Sequence, residues 1–334
     1  MKDLIKRMTE THGPSGSEER IREQIKKEIR GLADSVRTDT LGNLIAVKRG
    51  RGAKVMVAAH MDEIGFMVSH VDANGFLRFS SIGGIYLNNI ISQRVIFADG
   101  TVGTINEERA ENPSDAKRMD KMYIDIGAKD KKEAESTVAV GDVAGFHRPC
   151  EFLGGRVIAK AMDDRIGCAV MVEAMRRLKS SPNEVHWVFT TQEEVGLRGA
   201  TTAAFGVSPD VGIAIDVTGA FDTPDEKPKL PAVLGKGAAI KVKDGGMLAH
   251  PAVKKLMVDT AKAGRIAHQL DILEGGTTDG AAIYKTRSGI PTGVISVPTR
   301  YVHSPSEMVD LGDVEATVAL LTAVLKLDLK KKLS

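Results

Sequence analysis

Histidine and carboxylate side chains stand near the ends of several apolar segments of this sequence. Residues 55–59, 185–190 and 292–297 have the short, apolar character of buried β-strands, and a fourth such segment begins at Val211. The polar residues in or beyond these segments, and in a loop before a helix, are His60, Asp62, Asp163, Glu193, Glu194, Asp216 and His303. Because ligands gather beyond the carboxyl ends of strands in open α/β sheets, we expect these side chains to meet at one edge.

The chemistry of this set is that of a metal site. Two imidazoles and three carboxylates (His60, His303, Asp163, Glu194 and Asp216) suit Zn²⁺ or Co²⁺. Two ions that share a ligand need a carboxylate, because each of its oxygens can bind a different ion. Between ions about 3.5–4 Å apart, a water loses its proton near neutral pH and becomes a nucleophile. The set therefore predicts a two-metal centre that activates water for hydrolysis.

Each of these residues has an ordinary structural explanation when it is taken alone. A histidine at a strand end, a Glu-Glu pair at a helix start and an Asp-Asp-Arg cap are all common. Asp216 carries more weight, since an isolated charge inside the apolar segment 214–217 must be paired or bound to metal. The occurrence of the whole set, in order and at strand ends, is what favours a metal site.

The elements that must position these residues predict an α/β fold, a doubly wound and mainly parallel sheet with helices on both faces. Apolar periodicity predicts helices at 166–178, 251–263 and 314–329, alternating with strands. Another helix is expected after residue 17, with Ser15 and Glu18 forming a capping box.

The pattern of apolar residues changes in the middle of the chain, where long helical periodicity is absent. Short β-rich pieces there are separated by turn signals such as Asn74-Gly75 and Asp99-Gly100. This pattern predicts a small inserted β-domain at 66–156 and a catalytic domain made of 1–65 and 157–334.

Composition narrows the classes of protein further. Lys+Arg 46 against Asp+Glu 44 gives a formal net charge of +2, which does not favour a nucleic-acid or membrane partner. Cys150 and Cys168 leave room for at most one disulfide. The first residues lack the apolar stretch of a signal peptide, and no apolar segment approaches the length of a membrane span. A cytoplasmic location is therefore expected.

These motifs together resemble the metallo-aminopeptidases that assemble into tetrahedral particles, the TET aminopeptidases. The resemblance covers essentially the whole chain. It is carried by residues 13–18 (GPSGSE), 59–65 (AHMDEIG), 161–165 (AMDDR), 192–199 (QEEVGLRG), 275–280 (GGTTDG) and 300–305 (RYVHSP), with the Asp216 strand.

The resemblance implies an aminopeptidase acting on peptides with a free N-terminus, and a role for each residue. His60 and Asp216 would hold one ion, Glu194 and His303 the other, and Asp163 would bridge them, with Asp164 and Arg165 fixing its loop. Glu193 would be the general base, and Asp62 would orient His60. The inserted β-domain would form dimers within a homo-dodecamer.

Other hydrolases remain as alternatives at this stage. One is an endoglucanase, a label that some relatives carry; another is a related zinc deacetylase or carboxypeptidase, which would need a basic residue to hold a substrate carboxylate. A metal-stabilised scaffold without activity is disfavoured by Glu193 beside a complete ligand set. The preferred first residue of the substrate and the native metal are left open.

Overall fold

The computed structural model describes residues 1–109, 117–224 and 232–333. Its helices are α1 (Lys2–Glu10), α2 (Glu19–Glu28), α3 (Lys131–Glu135), α4 (Met162–Arg177), α5 (Arg198–Val207), α6 (Pro251–Ala263), α7 (Asp279–Tyr284), α8 (Leu311–Leu325) and α9 (Leu329–Leu333). Its strands are β1 (Ser35–Thr38), β2 (Leu44–Lys48), β3 (Lys54–His60), β4 (Gly65–Val71), β5 (Leu77–Ile82), β6 (Arg94–Phe97), β7 (Val102–Glu107), β8 (Met122–Asp125), β9 (Val143–Phe146), β10 (Glu151–Leu153), β11 (Arg156–Ala159), β12 (Glu184–Thr190), β13 (Val211–Gly219), β14 (Ala238–Lys243), β15 (His268–Ile272), β16 (Thr292–Arg300) and β17 (Glu307–Asp310).

Eleven strands of the described residues form one large sheet with a parallel centre. The order across it is β1-β2-β12-β3-β13-β16-β17-β11-β10, and β14 joins β15 to β16. The neighbours β12, β3, β13 and β16 all run in the same direction. These central strands are almost entirely buried, as parallel strands covered on both faces must be.

Helices cover both faces of this sheet. Trp187 and Phe189 of β12 belong to the hydrophobic core that α4, α6 and α8 share. Val188, between them, points to the opposite face, where it packs with residues of α5 and α7. This alternation follows from the two-residue period of a strand. The predicted α/β fold with helices on both faces is confirmed.

The β-rich middle of the chain forms a separate closed barrel. Its strands are joined in the order β4-β5-β8-β7-β6-β9. Phe66 lies at its centre, with edge-to-face contacts to Phe79 and Phe146 at ring-centroid distances of 5.2 and 5.3 Å. Strand β10, within the range predicted for the inserted domain, pairs with β11 in the large sheet instead.

Some local predictions differ from the structure. The capping box is wrong, because Ser15 donates to Asp62 and Glu18 accepts from the Gly16 N–H, so neither side chain caps α2. The closing helix begins three residues earlier than predicted, since the Asp310 side chain accepts from the Gly312 N–H, and it ends at Leu325 rather than at 329.

Cys150 and Cys168 are both free and buried. Within the described parts of the chain, no helix has the length and apolar character needed to span a bilayer.

A buried ion cluster lies where the barrel leaves the large sheet. Lys160 Nζ donates to the two oxygens of Glu63 at 2.9 and 2.7 Å, and Arg165 Nη2 lies 3.3 Å from one of them. The three side chains are at most 3% exposed. Burial alone would raise the pKa of Glu63, but the charges of Lys160 and Arg165 lower it. The two cations therefore depend on this one carboxylate.

We expect Glu63→Gln to destabilise the protein more than Lys160→Met does. The first change leaves two buried cations without a counter-charge, whereas the second leaves one carboxylate beside one guanidinium. Removing one partner of a buried ion pair costs about 3–5 kcal/mol. Differential scanning calorimetry of the two variants gives the order of their melting temperatures. Equal melting temperatures would show that the cluster does not behave as a charge-balanced unit.

Candidate functional site

The structure brings all five predicted ligands to the carboxyl edge of the parallel strands. His60 is the last residue of β3, and Asp216 lies within β13. Glu194 and His303 follow β12 and β16, and Asp163 lies in the first turn of α4. Their positions follow from the topology, because adjacent parallel strands end at the same edge of a sheet.

The five side chains form two groups that share Asp163. His60, Asp163 and Asp216 make one group and Asp163, Glu194 and His303 the other, with the potential ligand atoms of each group within 4.8 Å of one another. Asp163 Oδ1 is 3.0 Å from His60 Nε2, and its Oδ2 is 3.4 Å from His303 Nε2. The two oxygens of one carboxylate therefore face two different histidines.

The carboxylates of this cluster outnumber the two histidines, His60 and His303, that lie among them. Burial, and then the charge of Asp163, raises the pKa of Asp216 well above its usual range. Burial likewise raises the pKa of Glu193 well above its usual range. Asp164 Oδ2 and Asp279 Oδ1 are buried and have no hydrogen-bond partner among the described residues. Divalent cations supply the positive charge that such carboxylates require, so the residues fit a pair of them.

Asp62 organises both His60 and the segment that carries Glu193. Its Oδ1 is 3.5 Å from His60 Nδ1, the ring nitrogen that faces away from Asp163. The same carboxylate accepts from the backbone N–H groups of Glu193 at 3.0 Å and Glu194 at 3.2 Å. Ser15 Oγ donates to it at 2.6 Å. Asp62 thus fixes a histidine and also the backbone of two adjacent glutamates.

Glu193 lies beside the ligand groups without belonging to either of them. Its Oε2 is 4.0 Å from His60 Nε2, and it lines the same cavity as the ligands. A carboxylate in this position can exchange a proton with a molecule held between the ligand groups.

Arg165 ties the loop of Asp163 to the chain around His60. It is fully buried and donates from Nε to the Met61 carbonyl at 2.6 Å and from Nη1 to the carbonyls of Met8 and Thr11 at 2.7 and 2.8 Å. Asp164 accepts from the Gly167 N–H at 3.0 Å and belongs to neither ligand group.

Glu307 is a supporting residue that sequence analysis missed. It is 2% exposed, and its two oxygens accept from the backbone N–H groups of His303 at 2.8 Å and Asp163 at 3.0 Å. His303 has φ of 61°, a left-handed conformation that is costly for a residue with a side chain. Its role became visible only in the structure, through its burial in β17 and its backbone partners.

The barrel also contributes to the site, although its sequence shows no chemistry of its own. A Cβ at Gly83 would lie 3.0 Å from Glu194 Oε2, and one at Gly84 would lie 2.8 Å from His303 Nδ1. Both glycines therefore allow the chain to pass against two ligands. Tyr86, which follows them, lines a cavity of about 750 Å³ together with the ligands.

Comparison with known proteins identifies relatives along nearly the whole chain. A model described as M42 glutamyl aminopeptidase matches residues 42–320. A protein of Acetivibrio thermocellus, provisionally named an aminopeptidase, is 51% identical over 96% of this chain and 97% of its own length. The lysyl aminopeptidase of Pyrococcus furiosus is 37% identical over 97% of this chain and 96% of its own.

Solved structures agree with this result. An aminopeptidase from Desulfurococcus kamchatkensis is 40% identical, with a TM-score of 0.94 over 97% of this chain and 94% of its own. The TET1 peptidase of Pyrococcus horikoshii, which can assemble into a tetrahedron or a large octahedral shell, is 32% identical, with a TM-score of 0.87 over 97% of this chain and 98% of its own. A structure described as an endoglucanase from Thermotoga maritima is 34% identical, with a TM-score of 0.82 over 96% of each chain.

We expect Glu307→Gln to weaken metal binding, because one of the two backbone N–H groups would then face an amide nitrogen instead of an oxygen. Loss of such a supporting contact typically costs about 10- to 100-fold in metal affinity. Titration of the metal-free protein with Zn²⁺ measures the change. Ser306→Ala is the matched control, since Ser306 is exposed and its neighbour is the residue under test. Wild-type affinity in the Glu307 variant would contradict the supporting role.

Proposed function

The chain belongs to the M42 glutamyl aminopeptidase family, and from this premise we propose that it removes N-terminal residues from peptides by two-metal hydrolysis. His60 and Asp216 would hold one ion, Glu194 and His303 the other, and Asp163 would bridge them. The observation that carries this proposal is the placement of the two Asp163 oxygens toward different histidines. Zn²⁺ and Co²⁺ both accept these donors.

The bound ions would lower the pKa of a shared water and supply positive charge for the oxyanion of the attacked carbonyl. Glu193 would accept the proton of this water and deliver it to the leaving amine. Asp62 would hold the backbone of Glu193 through the 3.0 Å hydrogen bond and keep the proton on His60 Nδ1, so that Nε2 faces the metal.

The competing hydrolase functions explain these residues less well. A glycosidase needs two carboxyl groups about 5–10 Å apart across a sugar and generally no metal, which leaves His60 and His303 unexplained. A carboxypeptidase or deacetylase would need a cation for the substrate carboxylate, and the described residues lining the cavity include no Lys or Arg. Chelator-sensitive hydrolysis of an aminoacyl amide, without cleavage of a soluble glucan, would separate these functions.

We also propose that the barrel is the dimer contact within a dodecamer. The proposed division of the chain into 1–65 with 157–334 and 66–156 needs one adjustment, because strand β10 belongs to the large sheet. Related TET structures support this assembly, one of them described as a dodecamer. The barrel surface exposes the apolar side chains of Met67, Val102 and Val140, which a subunit contact would cover. A cytoplasmic location is part of the same proposal.

Glu193→Gln is expected to retain both ions and to lose about 10²- to 10⁴-fold in kcat, the usual contribution of general acid–base catalysis. The amide keeps the shape of the side chain but cannot accept the proton. Hydrolysis of leucine 7-amido-4-methylcoumarin gives kcat, and elemental analysis of the same sample gives the metal content. Turnover at the wild-type rate would remove Glu193 from the mechanism.

Asp163→Asn and His303→Ala are expected to lower the metal content itself. Asparagine offers one oxygen where the bridging role needs two, so Asp163→Asn should affect both ions, whereas His303→Ala removes a donor from one group only. Elemental analysis after dialysis against metal-free buffer measures the number of ions per chain. Full retention of both ions in Asp163→Asn would contradict the bridging role.

The assembly is tested by multi-angle light scattering of the metal-loaded protein. We expect a particle about twelve times the mass of the 35.8 kDa chain. Replacing Val140, which is 62% exposed on the barrel, with Asp should shift the particle toward smaller species if the barrel forms the contact. A wild-type monomer with metal bound would contradict the proposal.

A further inference from the structure

The cavity that contains the metal ligands has an electrically neutral wall. Apart from the five ligands and Glu193, every described residue that lines it is glycine or carries an uncharged side chain. The larger apolar groups of this wall are contributed by Leu197, Val217, Phe221, Leu273 and Val302. Tyr86 and Tyr301 add two aromatic rings at the solvent side, where they are 62% and 53% exposed.

Two cations of the described chain that adjoin this wall have carboxylate partners. Lys241 is fully buried behind Thr218 and lies 2.6 Å from Asp271. Arg300, next to Tyr301, makes two contacts of 2.6 and 2.8 Å with Asp222. Because these charges are paired, they offer little attraction to an acidic group in the cavity.

Two further cations are connected to the wall through residues that are sequence neighbours of its lining residues. Lys243 is 3.7 Å from Glu274, the residue between the lining residues Leu273 and Gly275. Arg198 follows Leu197 but is exposed, and it donates to the Gln192 side chain at 3.3 Å. Among these four described cations, Arg198 is the one without a carboxylate contact, and it is not itself a lining residue.

We propose that this cavity selects peptides whose first residue has an uncharged, apolar side chain of the leucine or methionine class, with Phe221 forming part of the selecting wall. This inference rests on the proposed aminopeptidase function and adds its substrate class. Because the wall is neutral, acidic and basic first residues are both disfavoured. Each would lose water around its charge and gain no counter-charge from the described wall. The acidic residues that line the cavity are the proposed metal ligands and Glu193, the proposed general base.

The first experiment measures kcat/KM of the metal-loaded wild-type protein on leucine, methionine, glutamate and lysine 7-amido-4-methylcoumarin. The expected preference for leucine or methionine over both charged residues is about tenfold or more. A faster reaction with the glutamate or lysine substrate would overturn the inference but leave the aminopeptidase function intact. Failure to hydrolyse any of the four, with metal bound, would count against the proposed function itself.

The second experiment places a charge on the proposed wall. Phe221 is 39% exposed, so a long polar side chain can be accommodated there without entering the core. Phe221→Lys should raise the glutamate-to-leucine ratio of kcat/KM by about two- to fivefold, the range expected for a partly exposed ion pair. Phe221→Glu should raise the lysine-to-leucine ratio similarly, and added salt should reduce both effects.

Phe205→Lys is the matched control. Phe205 is 60% exposed on α5 and does not line the cavity, so the same substitution there should leave the substrate ratios unchanged. Equal effects at residues 205 and 221 would show that the change in ratio does not come from the cavity wall. Unchanged ratios in both Phe221 variants would overturn the assignment of Phe221.

Discussion

Buried negative charge that the chain does not balance by itself is the constraint on which this structure depends. Asp163, Asp216 and Glu193 are brought together at one sheet edge, and burial together with their mutual repulsion makes ionisation of Asp216 and Glu193 unfavourable there. A cluster of this kind is a poor way to stabilise a fold, since each carboxylate loses its hydration. Its arrangement becomes favourable once divalent cations supply the missing charge, and therefore the fold and the metal site are best understood together.

Holding the cluster requires backbone that is fixed before any ion binds. The candidate ligands come from separate segments, and two carboxylates outside the ligand groups, Asp62 and Glu307, connect these segments. Asp62 accepts from the N–H groups of Glu193 and Glu194, and Glu307 accepts from those of Asp163 and His303. Each of these carboxylates joins chain segments that are distant in sequence. Their hydrogen bonds restrict the loops, so less conformational entropy remains to be lost when metal binds.

The convergence of the five candidate ligand residues could be predicted from the sequence, because adjacent parallel strands end at a common edge of the sheet. Short helices such as α5 and α7 were not predicted, since α5 is built largely from small residues and α7 follows a glycine-rich segment. Glu307 was missed because its partners are backbone amides, which no residue type reveals. The local pattern of Ser15 and Glu18 predicted a helix cap. In the structure, Ser15 instead donates to Asp62, and Glu18 accepts from the Gln192 N–H.

The barrel and the catalytic edge form one structural unit despite their separate cores. A Cβ at Gly83 would lie in tight contact with Glu194, and one at Gly84 would overlap His303. The buried Glu63 also connects the start of the barrel to Lys160 and Arg165, next to the Asp163 loop. A rigid shift of the barrel would therefore move one wall of the cavity and disturb the loop of Asp163. A subunit contact made through the barrel would therefore reach the candidate metal site through this junction.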